Sequence, residues 1–237
     1  MVFLKAKWNK LIMANYQIDP SILKPYIPYG TELDLFNGKC YLSLVAFMFE
    51  NTKVLGVKVP FHIDFEEVNL RFYVRRKENN EWKRGVVFIK EIVPKYALSF
   101  VANTLYKEHY VTHKMKHNFV HREKNQTISY EWKVDGFWYK IAVNASSLAT
   151  VIEEGSEEEF ITEHYWGYAK VNNGKTNEYE VKHPRWEQYK LYDYSIDVDF
   201  AKVYGEKFKL LNTQTPESVF LATGSNVCVE QTNKIKA

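Results

Sequence analysis

The sequence predicts a mainly β protein of the α+β class, a single-domain antiparallel β-barrel with about four short helices. Three observations point there. Rings are abundant, with 17 Tyr, 15 Phe and 6 Trp against 10 Gly in 237 residues; such side chains favour pleated strands and line cavities. Two-residue alternation recurs through most of the chain between sharp turn signals. Some strand runs are apolar on both faces, so they need cover on both sides, which a sheet closed on itself supplies.

Taken in order, residues 11–18 form the first strand candidate. Asp19-Pro20 then sets an N-cap before proline, opening a helical turn at 21–24. Residues 33–36 and 39–50 read as a hairpin around Asn37-Gly38, whose pair suits a type I′ turn. In its second arm Cys40, Leu42, Leu44, Ala46 and Met48 share one face, while Tyr41, Val45, Phe47 and Phe49 share the other. A second hairpin joins 65–76 to 82–93 through Glu78-Asn79-Asn80-Glu81. A helix is predicted over 97–106 from Leu98, Val101, Ala102 and Leu105. Strands follow at 126–133 and 138–146. Ser156-Glu157-Glu158-Glu159 is a capping box, with the serine hydroxyl on the Glu159 amide and the Glu159 carboxylate reaching back. A third hairpin joins 165–171 to 176–183 through Asn173-Gly174. Residues 185–192 and 226–230 are further strands, and 197–204 is a helix ended by Gly205. No linker, repeat or composition break divides the chain. Residues 1–237 therefore read as one domain, with any disorder at its extreme ends.

Composition excludes several functions. Lys+Arg number 32 and Asp+Glu 29, so no field for a polyanion arises and nucleic acid is not an expected partner. Lysines interrupt the apolar start, and no apolar run nears the ~20 residues a membrane helix needs. Cys40 and Cys228 lie far apart without CxxC spacing and read as small buried hydrophobes. The expected compartment is the cytoplasm.

One strand carries the richest chemistry. Val68, Leu70, Phe72 and Val74 alternate with Glu67, Asn69, Arg71, Tyr73 and Arg75. On an open sheet that polar row faces water, the reading that pattern alone favours; in a closed barrel it faces the lumen and suits a small acid. His109, His113, His117 and His121 recur every fourth residue. Helical spacing would stack them as metal ligands, whereas a strand spreads them too far for one metal centre. The β-branched and aromatic neighbours favour the strand, so no metal is expected. Glu163-His164-Tyr165 mixes acid, imidazole and ring, but adjacent strand residues point to opposite faces. No P-loop, GxGxxG or GxSxG motif is present, so no cofactor is expected.

The runs YGTELDLFNGKCYLSLVAF, GVKVPFHIDFEEVNLRFYVRR, RGVVFIKEIVPK and GSEEEFITEHYWGY resemble the YqjF-like family, a bacterial family of unknown function, from Trp8 to Gly224-Ser225. More distantly, the chain is similar to the acetoacetate decarboxylase superfamily. That similarity implies a barrel around a buried pocket, with a Schiff-base lysine beside a second lysine and a glutamate. Phe65-Glu66-Glu67-Val68 resembles the glutamate strand and puts Glu67 at the glutamate's place. The run from Tyr106 to Met115 resembles the segment ending in the paired lysines; Lys114 is retained and Met115 falls where the Schiff-base lysine would stand. A thioether forms no imine.

The expected site therefore has Glu67 and Lys114 as catalytic groups, with Arg71, Tyr73, His113, Glu163 and Tyr165 as ligand-binding residues. Its ligand is a small organic acid or carbonyl compound. Whether the chain catalyses a reaction or only binds stays open, as does a homo-oligomer packed through its rings.

Overall fold

The structure, a computed structural model, describes residues 2–94 and 108–237. The helix expected over 97–106 lies outside the described residues. The strands are β1 (Val2–Gln17), β2 (Glu32–Leu33), β3 (Tyr41–Val54), β4 (Phe65–Glu78), β5 (Glu81–Val93), β6 (Tyr110–Thr112), β7 (Lys114–His121), β8 (Asn125–Val134), β9 (Phe137–Val151), β10 (Trp166–Asn172), β11 (Lys175–Lys182), β12 (Glu187–Asp197), β13 (Ser218–Ala222), β14 (Asn226–Glu230) and β15 (Asn233–Lys236). The helices are α1 (Pro20–Leu23), α2 (Glu157–Thr162) and α3 (Phe200–Tyr204), with 3₁₀ turns at Lys24–Tyr26 and Glu206–Asn212. Both ends of the described chain are strands, β1 and β15.

Pairing runs β1–β3–β4–β5–β10–β11–β14, and β14 pairs β1 again, so seven strands form a closed ring of hydrogen-bonded neighbours. The ring is not antiparallel throughout. β5 pairs in parallel with β10, through Trp166–Gly85 and Gly167–Val86, and with β6. β1 serves two sheets: residues Val2 to Lys7 pair β14 and residues Leu11 to Asn15 pair β13. Between these halves the register shifts, and Lys10 adopts a φ of 55°. From β13 the sheet continues through β12, β9, β8 and β7.

This second sheet covers the outer face of the ring. Val68, Leu70, Phe72 and Val74 of β4 join Leu42, Leu44 and Ala46 of β3 against Ile128, Tyr130, Trp132 and Ile141, with Phe200 and Phe208 filling the end. The opposite face of β3, with Tyr41, Val45, Phe47 and Phe49, packs into a separate core with Leu11, Phe160 and Trp186. Two-sided apolarity in β3 thus finds cover on both sides, as its sequence requires.

Local signals work with small departures. The Asp19 side chain accepts from the Ser21 amide at 2.8 Å. Ser156 Oγ accepts from the Glu159 amide at 3.1 Å, but the Glu159 carboxylate reaches one residue further back, to the Gly155 amide at 2.7 Å. The Ser156 amide is already donated to the Glu153 carbonyl. Asn79-Asn80 forms the two-residue turn of β4 and β5, both with positive φ. The hairpin expected at 33–50 forms only as a turn, with Phe36 bridged to Lys39. Its first arm instead pairs β4, through Leu33–Val74. β2 takes the place beside β4 where β3 has not yet begun, and Asp34 is tied there by its side chain.

The parallel β5–β10 seam closes the ring and leaves no room for a side chain at Gly85. A Cβ there would lie 2.5 Å from the Trp166 carbonyl oxygen. Gly85→Ala should lower unfolding free energy by about 1–3 kcal/mol through overpacking, measured by urea denaturation; unchanged stability would mean that the seam is not packed as described.

Candidate functional site

Within the ring lies a cavity of about 140 Å³, comparable in volume to engineered apolar cavities that hold a benzene-sized molecule. Most of its wall is apolar, from Trp8, Leu11, Phe47, Phe49, Phe65 and Phe88 among others. Against it stand Glu67, Asn69, Arg71, Glu91, Glu108, Tyr110, His164, Tyr179 and His183.

Strand geometry brings these polar groups together. Glu67, Asn69 and Arg71 alternate along β4, opposite Phe47, Val45 and Ser43 of β3. On the other side Asn69 faces Glu91 of β5. β5 holds an extra residue, Ile89, opposite the Leu70–Arg71 step. That bulge reverses parity, so Phe88 before it and Glu91 after it both line the cavity. Glu108 precedes β6, whose parallel pairing sets Tyr110 beside Glu91. The polar row of β4 therefore faces inward, with Glu67 2% and Asn69 1% exposed.

Burial sets the electrostatics. Desolvation pushes the Glu67 carboxyl up to about 7, against hydrogen bonds from Asn69 and Tyr110 and the charge of Arg71. Glu108 is likewise pushed up to about 7 by burial, although the Tyr179 hydroxyl donates to it at 2.7 Å. Burial and the neighbouring carboxyls raise Glu91 well above the usual carboxylate range. Asn69 Nδ2 donates to Glu67 Oε1 at 2.9 Å and the Tyr110 hydroxyl to Oε2 at 3.2 Å.

At the other end of the row, Arg71 donates from Nη2 to the Ile161 carbonyl at 3.4 Å, and its guanidinium lies 5.6 Å from the Tyr73 ring centre. His164 donates from Nε2 to Asp34 Oδ2 at 3.2 Å, and Arg84 donates to the same oxygen at 2.6 Å. Burial lowers the His164 imidazole to about 4, so it is neutral. Burial alone would raise Asp34, but the His164 and Arg84 hydrogen bonds hold it below its ordinary value.

Of the expected site residues, Glu67 and Arg71 line the cavity. Tyr73 is buried behind Arg71 with its hydroxyl 2.7 Å from Ser43 Oγ. Tyr165 stands behind the wall, its ring 4.6 Å from that of His183, and donates to Glu163 at 2.5 Å. His113 is half-buried against Val93, away from the lining, and its imidazole is lowered by burial and by Lys90. Lys114 does not join Glu67: it is exposed on β7, a strand outside the ring. Met115 packs on the outer core rather than in the cavity, so the family register carried over for this segment does not lead into the chamber. No lysine lines the cavity among the described residues. The histidine ladder lies on and beside β6 and β7, and among the described residues no three His, Cys, Asp or Glu side chains converge to hold a metal ion. Glu91, Glu108 and His164 were missed in sequence; the bulge and the 130-residue separation of Asp34 from His164 left no local signal.

With this geometry in view, a family model described as an uncharacterized conserved protein, DUF2071, matches residues 5–226. The chain belongs to the DUF2071 family. One relative, the uncharacterized protein YqjF of Bacillus subtilis (strain 168), is 35% identical over 86 residues, 36% of this chain and 34% of that protein; the match spans about a third of each. In fold, this DUF2071 chain resembles an acetoacetate decarboxylase-like enzyme from Sphingomonas wittichii RW1, with a TM-score of 0.67 and 9% identity over 100% of this chain and 94% of that one. It also resembles the enduracididine biosynthesis enzyme MppR complexed with pyruvate, with a TM-score of 0.66 and 9% identity over 99% and 91% of the two chains. No helix among the described residues is long and apolar enough to cross a membrane.

A carboxyl raised by burial makes stability depend on pH. Between about 4.5 and 7 the unfolded chain releases the Glu67 proton while the folded chain keeps it, so stability falls as pH rises. Glu67→Gln removes that loss. Its Tm should exceed the parent's by more at pH 8 than at pH 5 in thermal melts; an equal gap at both would contradict a raised Glu67.

Proposed function

We propose that this protein binds a small oxo acid inside a barrel formed by the seven-stranded ring and moves a proton on it. The observation that carries this reading is the enclosure of three carboxyl groups with one guanidinium in a mostly apolar chamber. Arg71 is permanently charged and offers N–H groups to a carboxylate. Glu67 ionises near neutrality, where a general base is most effective. It takes the proton from the carbon next to the carbonyl; the C–H electron pair becomes the C=C bond as the carbonyl π pair moves onto oxygen, and the Glu91 carboxyl, raised by burial, donates a hydrogen bond to the enolate oxygen. Glu67 then returns a solvent-exchanged proton to carbon.

Proton transfer is preferred to imine chemistry because the described lining offers no amine. Likeness in fold to MppR, whose structure was solved with pyruvate, supports an oxo acid as the ligand type. Tyr73 positions Arg71, while Tyr165 backs His183 and Glu163 holds Tyr165 in place. A second reading, binding without chemistry, is favoured by that same lack of a nucleophile.

Exchange of pyruvate methyl protons in D₂O, followed by NMR, separates the two. The wild type should accelerate exchange with a rate rising through about pH 7, and Glu67→Gln should slow it about 100-fold or more. Pyruvate that binds without faster exchange leaves the binding reading; pyruvate that neither binds nor exchanges removes both.

A further inference from the structure

The cavity wall holds an inventory of unmet hydrogen-bond groups. Among the described residues, five groups of the wall have no partner: His164 Nδ1 and Asn69 Oδ1 are buried acceptors, Arg71 Nε and Trp8 Nε1 are buried donors, and Glu91 Oε2 is also unmet. Buried polar atoms are rarely left unpaired, because each costs its full desolvation penalty. His164 is the most constrained of these. Its side chain is 1% exposed, and Asp34 accepts the hydrogen bond from Nε2–H. The tautomer is therefore fixed, leaving a bare lone pair on Nδ1. Arg84 locks the Asp34 carboxylate in turn. Phe160 and Tyr73 pack the imidazole ring at 5.0 and 4.7 Å between centres, so it cannot turn freely to find another partner.

Arg71 and His164 flank the same Tyr73 ring. Both residues line the cavity, one with an unmet charged donor and the other with an unmet neutral acceptor. A plain oxo acid satisfies only the first, since its carbonyl and carboxylate oxygens both accept. We infer that the ligand carries a hydroxyl beside its carboxylate, as a 2-hydroxy acid or the enol form of a 2-oxo acid, with the carboxylate on Arg71 and the hydroxyl donating to His164 Nδ1. This rests on the reading of the cavity as an acid-binding site and adds to the acid a hydroxyl that the wall itself selects. Asp34 and Arg84 are positioning residues in this arrangement. The apolar remainder of the wall fits a short hydrocarbon tail.

Two probes of equal charge and skeleton test it by calorimetry on the full chain: 2-hydroxy-4-methylpentanoate and 4-methylpentanoate. The hydroxy acid should bind about tenfold more tightly, the worth of one buried hydrogen bond. That preference should vanish in His164→Phe and be partly kept in His164→Asn, whose side-chain oxygen falls near the place of Nδ1. In the unmodified protein, the ¹⁵N resonance of His164 Nδ1 should move upfield when the hydroxy acid binds, a readout that needs no variant to fold. Equal affinity for the two acids, or a preference that survives His164→Phe, overturns the inference while the acid site stands. If neither acid nor pyruvate binds, the acid-site reading fails and takes this inference with it.

Discussion

A strand that is apolar on both faces cannot end in an open, half-solvated sheet, and β3 with β4 places that demand at the centre of this protein. The demand is met twice. On one side the chain lays β12, β9 and β8 over the ring; on the other it curls the ring until β14 returns to β1. The second solution leaves a cavity inside the ring, and the polar side chains of β4 face it. Their altered acidity follows from that enclosure. Carboxyls that would titrate near 4.5 in water are held up because their charged form has lost its solvent.

Much of this was readable from residue order. Alternation located the strands, and Asn79-Asn80 with Asn37-Gly38 placed two tight turns with positive φ. The caps at Asp19 and Ser156 marked helix starts. What pattern could not decide was the direction of the Glu67 row, because a row that faces water and one that faces a lumen share the same period. The tertiary path decides it. Pairing beyond the hairpins was also out of reach: β2 leaves its own turn for β4, and β5 meets β10 in parallel across 81 residues from Gly85 to Trp166.

The site shows the same division. Glu67 and Arg71 were visible because they alternate on one strand. Glu91 needs the parity change at Ile89, Glu108 needs the placement of β6, and His164 needs Asp34 from the other side of the ring. None of these leaves a mark in neighbouring residues. Lys114 illustrates the opposite hazard: a register carried over from a distant resemblance set it beside Glu67, while backbone pairing puts it on β7 opposite Lys133, outside the ring.

The central claim is that the interior of the ring, rather than bulk water, solvates the Glu67 carboxyl. Titrating that carboxyl directly by ¹³C NMR, with the signal assigned by its loss in Glu67→Gln, tests this most plainly. Burial in the ring predicts a midpoint raised well above 4.5, to about 7; a midpoint at the ordinary value for a glutamate in water would contradict it.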